Sequence, residues 1–349
     1  MEEGFRFVHS SDFHFSKRPY GLPPVLSSPG SIFVRFVCED SEIRIVGQES
    51  HNPTIAKVFA QWLCINQKRI QFFLATGDLA ATGGSSDLSV AKTFFFGDMR
   101  SAKTSWITRD NLATVSPAFP DPTQLVLMPG NHDRFKSIFS IPPYGPGNSK
   151  FDQYFESHWP RADLKGFSKK VDVRIFESAD QTVKLAFVVA DFALEEHDWS
   201  VDAVPRYLGR GKAHKPIIEE MLLCTENIRK QNKEVFVVWA IHFNPLPTVA
   251  SNLKLEFGDS VIAAANLAGV KHIFCGHLHN AHVSAPHSGV TVHVAGSSVT
   301  TDPRIAREFA EYWLNIKDTH NAILKYRHHS YQAEGANAGL FTAGEWRNA

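Results

Sequence analysis

The chain has 349 residues, of which 43% are apolar and 21% charged, and its formal net charge is zero. That composition excludes wholesale disorder and leaves enough apolar mass for a sizeable core. Lysine and arginine are scattered, with no basic block of the kind that coats nucleic acid or an anionic membrane surface.

The opening MEEGFRFVHS is acidic and then strand-like over residues 5–9, unlike a signal peptide. Residues 18–52 are rich in Gly, Pro and Ser and read as an inserted loop. Residues 54–66 place Ile55, Val58, Phe59, Trp62 and Leu63 at helical steps, with Pro53 at a helix-start position. Apolar runs at 70–75, 125–128, 183–190, 235–241 and 271–275 read as buried strands, and 217–231 and 260–267 as helices. Helices that precede strands by short turns predict crossover units and a largely parallel sheet. Runs at 281–285, 290–295, 312–316 and 322–328 alternate or cluster as antiparallel strands do. Two more loops, about 80–124 and 135–170, are long enough to form a pocket rim or lid. Within the first of them, Phe94, Phe95 and Phe96 read as core or lid packing. The expectation is one α/β domain over residues 1–331, followed by a flexible tail over 332–349.

Four cysteines, Cys38, Cys64, Cys224 and Cys275, lie far apart and form no CxxC pair, so neither a disulfide framework nor a thiolate zinc site is expected. No apolar run approaches the roughly 18 residues of a membrane span. A soluble protein of the cytoplasm is the expectation.

Five short segments carry acids, His or Asn just after predicted strands: Asp12-Phe13-His14, Gly77-Asp78, Gly130-Asn131-His132-Asp133, His242 and Gly276-His277-Leu278-His279. Residues two apart on an extended backbone point the same way, so Asp12 and His14 are expected to share one ion. Ligands gather at the carboxyl ends of strands in α/β sheets, which predicts that all five segments converge. Each alone has a plainer reading: Gly-Asp is commonly a turn, and a lone His after a strand is commonly a hydrogen-bonded core residue. Their order, each behind an apolar run, favours a metal site over five coincidences. His9 reads as packing or support, His282, His287 and His293 as surface or supporting residues, and His328 and His329 as surface strand residues. Asp191 ends the run LAFVVA and is within reach of the same region.

With DxH, GD, GNHD, a lone His and GHxH in this order, the chain resembles the calcineurin-like metallophosphoesterases from Asp12 to His279. The resemblance implies a four-layer α-β-β-α sandwich with two mixed sheets and a dinuclear metal centre. It assigns Asp12, His14 and His279 to one ion, Asn131, His242 and His277 to the other, and Asp78 to both. It places His132 beside the substrate phosphate, with Asp133 orienting it. Hard oxygen and imidazole donors without thiolate suit Mn, Fe, Zn or Co. Two divalent ions against Asp12, Asp78 and a bridging hydroxide leave a net charge of about +1 for a phosphate anion.

Departures from relatives narrow the substrate. The text GDLAATG lacks the Arg that Ser/Thr protein phosphatases of this superfamily carry after GD, and the Tyr ligand of purple acid phosphatases is missing. The additional Asp and capping domain usual in DNA-repair nucleases are also missing. TGDLA, MPGNHD, FCGHLH and VAGSSVT are most similar to the branch of bacterial cyclic-nucleotide phosphodiesterases. The expected substrate is therefore a small phosphodiester such as a cyclic nucleotide. A phosphomonoesterase or nucleotide pyrophosphatase is the next reading, and a nuclease or a non-catalytic scaffold comes after it. Neither a membrane nor a nucleic acid is expected as a partner.

Overall fold

The computed structural model describes residues 4–16, 50–81, 83–96, 122–134, 150–156, 159, 170–178, 182–193, 211–232, 234–250, 253–302, 304–316, 318 and 322–349. Most of the three predicted insertions at 18–52, 80–124 and 135–170, together with Cys38, lies outside the described residues.

In chain order the elements are β1 (Phe5–Ser10), α1 (Pro53–Asn66), β2 (Phe72–Ala75), α2 (Ser85–Phe96), β3 (Leu125–Leu127) and the short α3 (Asn131–Arg134) and α4 (Lys150–Tyr154). There follow β4 (Val171–Glu177), β5 (Lys184–Ala190), β6 (Gly211–Lys212), α5 (Lys215–Gln231), β7 (Val235–Ile241), β8 (Leu255–Glu256), α6 (Gly258–Leu267) and β9 (His272–Cys275). The chain closes with β10 (His282–Val283), β11 (Thr291–Val294), β12 (Glu308–Ile316), β13 (Ala322–Tyr331), β14 (Phe341–Ala343) and β15 (Arg347–Asn348).

Two mixed sheets stack face to face. One has the order β14-β13-β12-β1-β2-β3, with β15 also on β13, and the other β10-β11-β9-β7-β5-β4. The crossover strands β1, β2 and β3 pair in parallel, as do β5, β7, β9 and β11, while the edges added by hairpins are antiparallel. Aromatic side chains fill the space between the sheets: Phe7 stacks on Phe72 at 4.8 Å and on Tyr312 at 5.1 Å, and meets Phe274 edge-on at 5.6 Å. α1 and α2 cover one outer face through Phe59, Phe94 and Phe95 against Phe13, Phe73 and Phe309. α5 and α6 cover the other through Ile217, Met221, Val261 and Ala265 against Trp239 and Val237. The result is the expected α-β-β-α sandwich. β7 is buried along its whole length, which is why it reads as an unbroken apolar run.

Three expectations differ from the structure. Residues 85–96, read as part of a loop, form α2, and its Phe94 and Phe95 are core residues. The segment after residue 331, expected to be a flexible tail, pairs with β13 through β14 and β15 and buries Phe341 against Phe59 and Phe309. His329, read as a surface residue, is buried and bonds Glu311 Oε2 at 2.8 Å, because it lies on the face that α1 covers.

Candidate metal centre

The carboxyl ends of β1, β2 and β3 from one sheet and of β7 and β9 from the other meet at one end of the sandwich. Backbone and side chain stitch them together. The amide of His277 donates to Asp12 Oδ2 at 2.9 Å, His242 Nδ1 donates to the carbonyl of Thr76 at 2.7 Å, and the amide of His132 donates to Asp78 Oδ1 at 2.8 Å.

The local backbone is strained. Asp12, His14, Asp78, His277 and His279 all have left-handed φ, between 48° and 71°. Among the described residues seven non-glycine positions have positive φ, so five of the seven fall on candidate ligands of one site. Such conformations cost on the order of 1–3 kcal/mol each and persist where the surroundings over-determine them, typically at functional sites. This corrects the expectation about Asp12 and His14: they do not share a direction because the backbone is extended, but because each sits in a left-handed turn after β1. Gly77, at φ 96°, joins them between β2 and Asp78. A Cβ there would lie 2.5 Å from His242 Nδ1 and 2.8 Å from the Gly130 amide, so only glycine lets β2, β3 and β7 close on each other.

The side chains assemble into three overlapping groups whose donor atoms lie within 4.8 Å of one another: Asp12 with His14 and His279, His14 with Asp78 and His132, and Asp78 with His242 and His277. His14 Nε2 and His279 Nε2 are 3.3 Å apart, and His279 Nε2 is 3.5 Å from Asp12 Oδ1. His242 Nε2 is 3.0 Å from Asn131 Oδ1 and 3.4 Å from Asp78 Oδ2. The GHLH pair therefore divides, with His277 in one group and His279 in another. All seven predicted ligand positions and His132 come together.

A sequence model described as calcineurin-like phosphoesterase matches residues 5–281. The chain belongs to that family. Members are metal-dependent phosphoester hydrolases that use a dinuclear divalent metal centre, and this chain is one of those enzymes. Its fold is shared with a dimetal phosphatase from Danio rerio, at a TM-score of 0.52 and 13% identity, covering 98% of this chain and 99% of that one. A 5'-nucleotidase from Candida albicans gives a TM-score of 0.44 at 11% identity, covering 93% of this chain and 51% of that one. No curated protein sequence matches the chain significantly.

The residues of this calcineurin-like phosphoesterase fit a cation pair. Asp12 Oδ1 is buried and receives no hydrogen bond. Burial pushes the Asp12 carboxyl above its ordinary range, with Asp78 adding to the shift against the pull of His279 and His242. Burial also opposes ionisation of Asp78, yet the neighbouring His242, His132 and His14 hold it well below that range. His242, despite its own burial, is driven up to about 9 by Asp78. In the metal-free site a proton on an imidazole thus offsets buried negative charge, and a divalent cation takes that place when histidine ligands are neutral.

Asp133 works differently from the expectation. Its carboxylate accepts from the amides of Leu79 at 3.1 Å, Ala80 at 2.8 Å and Gly130 at 2.9 Å. His132 Nδ1 instead donates to the carbonyl of Ala81 at 3.0 Å. Three amides converge on Asp133, which thereby ties the strip at residues 79–80 to α3, next to the Ala81 carbonyl that His132 meets. Burial and nearby Asp78 raise the Asp133 pKa to about 7 against the pull of those amides.

Supporting residues absent from the sequence reading are Ser11, Thr76, Ala81, Arg134 and Ser297. Ser297 Oγ donates to the Asp12 carbonyl at 2.6 Å, and Ser11 Oγ to that of Thr76 at 3.0 Å. Arg134 is buried between Asp191 at 2.7 Å and Asp152 at 2.9 Å, so it ties α3 to β5 and α4, and Asp191 serves that ion network. The position of Arg134, directly after GNHD, was a usable signal. His9 is a packing residue bonded to Thr76 Oγ1 at 3.0 Å.

Proposed function

We propose that this phosphoesterase hydrolyses a small phosphodiester, with cyclic nucleotides as the leading class. In this reading Asp12, His14 and His279 hold one divalent ion, Asn131, His242 and His277 hold the other, and Asp78 bridges them. The observation that supports it is the overlap of the three donor groups through Asp78 and His14, with His132 set against the shared members. Bound there, two divalent ions supply Lewis acidity and an activated water for in-line attack at phosphorus.

The chain's own groups do the rest. Asp12 and Asp78 leave the pair of ions with excess positive charge, and neutral Asn131 preserves it, so a phosphate anion is drawn to an otherwise neutral protein. The Ala81 carbonyl can only accept, so His132 carries a proton on Nδ1 and exchanges protons with substrate at Nε2. When protonated there, it donates to the leaving oxygen. Where Ser/Thr protein phosphatases with the text GDxxDRG carry an Arg that grips phosphate, this chain has Thr82. With no such cation, a singly charged diester suits the site better than a doubly charged monoester.

The donor set fits Mn, Fe, Zn or Co. Among the described residues no helix is long and apolar enough to cross a membrane. Cys64, Cys224 and Cys275 are free thiols, which supports a reducing compartment, the cytoplasm.

The test is a chelated and metal-reconstituted preparation assayed against an aryl phosphodiester, an aryl phosphomonoester and cyclic AMP. Metal-dependent hydrolysis of the diesters is expected. Turnover of the monoester alone would overturn the substrate assignment, and activity indifferent to chelation would overturn the metal reading.

A further inference from the structure

His51 stands outside every motif of the family signature, yet its imidazole is packed against the first of them. Nδ1 accepts the amide of Ser16 at 3.1 Å, and the ring also interacts with the backbone of His14. The ring meets Phe15 edge-on at 5.1 Å. Its accepting Nδ1 fixes the proton of the neutral ring on Nε2.

His51 is itself held rigidly. It is fully buried and forms an antiparallel bridge with Thr300. The Asn52 amide donates to Val299 O at 2.7 Å, and the Thr301 amide to Ser50 O at 3.1 Å. Asn52 then caps α1 through Thr54 and Ile55. The segment it grips runs from Asp12 and His14, both with left-handed φ, to a single parallel bridge between Phe15 and Ala80. That segment also carries Phe15, whose amide and carbonyl pair with Leu79 and Ala81, the strip that holds His132.

We propose that His51 is a positioning residue for the half-site of Asp12, His14 and His279, acting as a hydrogen-bonded buckle that holds residues 14–16 in their strained turn. This rests on the reading of those three side chains as ligands of one ion. A partner that orients a ligand without touching the metal typically contributes about 10–100-fold to metal affinity.

The experiment loads wild type, His51→Leu, His51→Asn, His51→Gln and His279→Ala with Mn²⁺ alone. It measures affinity by titration and metal retained per chain after gel filtration, with the melting temperature of the metal-free protein as the folding control. His51→Leu is expected to weaken one ion about 10–100-fold and spare the other. Asn places its Oδ1 where Nδ1 lies and is expected to return affinity to within a few-fold of wild type, whereas Gln moves the acceptor away and is expected to resemble Leu. If His279→Ala loses one ion and folded His51→Leu loses none, the buckle is wrong. The same holds if His51→Asn is as weak as His51→Leu. Should His51→Leu fail to fold, His51→Gln decides: two ions at wild-type affinity overturn the proposal. Retention of both ions by His279→Ala would instead overturn the ligand assignment beneath it.

Discussion

Two buried clusters of carboxylate and histidine in this molecule are built on opposite principles. On the outer face of the first sheet, Glu311 is surrounded by donors: Arg327 Nη2 at 2.8 Å, His329 Nε2 at 2.8 Å and Arg69 through both its terminal nitrogens. Burial opposes ionisation there, but the bonds from His329, Arg69 and Arg327 outweigh it and take its pKa down to about 2. At the strand ends, Asp12 and Asp78 face imidazole nitrogens that also face each other, on left-handed backbone. In the first cluster the carboxylate is matched by donors as folded. The second gathers lone pairs around a shared space, and only added positive charge completes it. A buried carboxylate is therefore a candidate ligand when its neighbours are also acceptors, and a structural residue when they are donors.

Removing each carboxylate breaks the comparison most directly. Asp78→Asn is expected to abolish retention of both ions, to bring turnover to background and to lower the stability of the metal-free protein at neutral pH, since the folded Asp78 carboxyl lies well below its ordinary range. Metal analysis and melting of the chelated protein check it. An Asp78→Asn enzyme that keeps two ions would remove the shared-carboxylate reading.

His132→Ala is next in size. Both ions are expected to remain while kcat falls by about 10²–10⁴, the usual contribution of a positioned proton-transfer group. Loss of metal together with activity would show that His132 is a ligand. The third change, Glu311→Gln, leaves Arg69 and Arg327 short of their counter-charge. Because both arginines are partly exposed, the loss is discounted to about 1–3 kcal/mol. Denaturant melts should show that loss equally with and without metal, and metal stoichiometry should not move. A change in stoichiometry would mean that the two clusters are coupled.

How much of this was legible in the sequence follows from what each feature is made of. The candidate ligand side chains were legible because a site for two divalent ions draws on particular residue types, carboxylate, imidazole and amide, in particular segments. β7 was legible because burial on both faces leaves a continuous apolar run. β4 was not among the predicted strands: Asp172 and Arg174 interrupt it, and on a sheet edge they pair with each other at 2.9 Å instead of disrupting the strand. α2 hid behind the Gly-Gly-Ser-Ser that leads into it. The supports of the site were the least legible. Ala81 contributes only a carbonyl, which any residue supplies, and the left-handed turns at Asp12, His14 and Asp78 are imposed by long-range closure. Asp133 shows the limit well: its three amide partners come from two segments that only the fold brings together.

The smallest expected effect is a slope. The two clusters hold their histidines differently from those between the sheets, where burial, with smaller pushes from neighbouring histidines, takes His9 down to about 3 and holds His293 well below its ordinary value. For His9 the folded pKa lies below the unfolded value of 6.5, so the unfolded chain binds the extra proton between pH 6.5 and about 3. Stability from this residue is thus fully present above pH 6.5 and is lost as pH falls through that window, by up to about 1.4 kcal/mol per pH unit. Glu311 follows the same sign lower down, since its stabilisation is present above about 4.5 and disappears as pH falls towards 2. In the chelated protein His9 therefore contributes a loss of stability from about pH 6.5 downward, in the window where Asp133, raised to about 7 in the folded state, contributes with the opposite sign. His9→Gln should flatten the stability-against-pH curve between 6.5 and 4.5 by up to one proton, while Glu311→Gln should flatten it only below 4.5. An unchanged slope in His9→Gln would mean that the ring reaches water in the folded state and that the aromatic layer around Phe274 and Tyr312 is not closed over it.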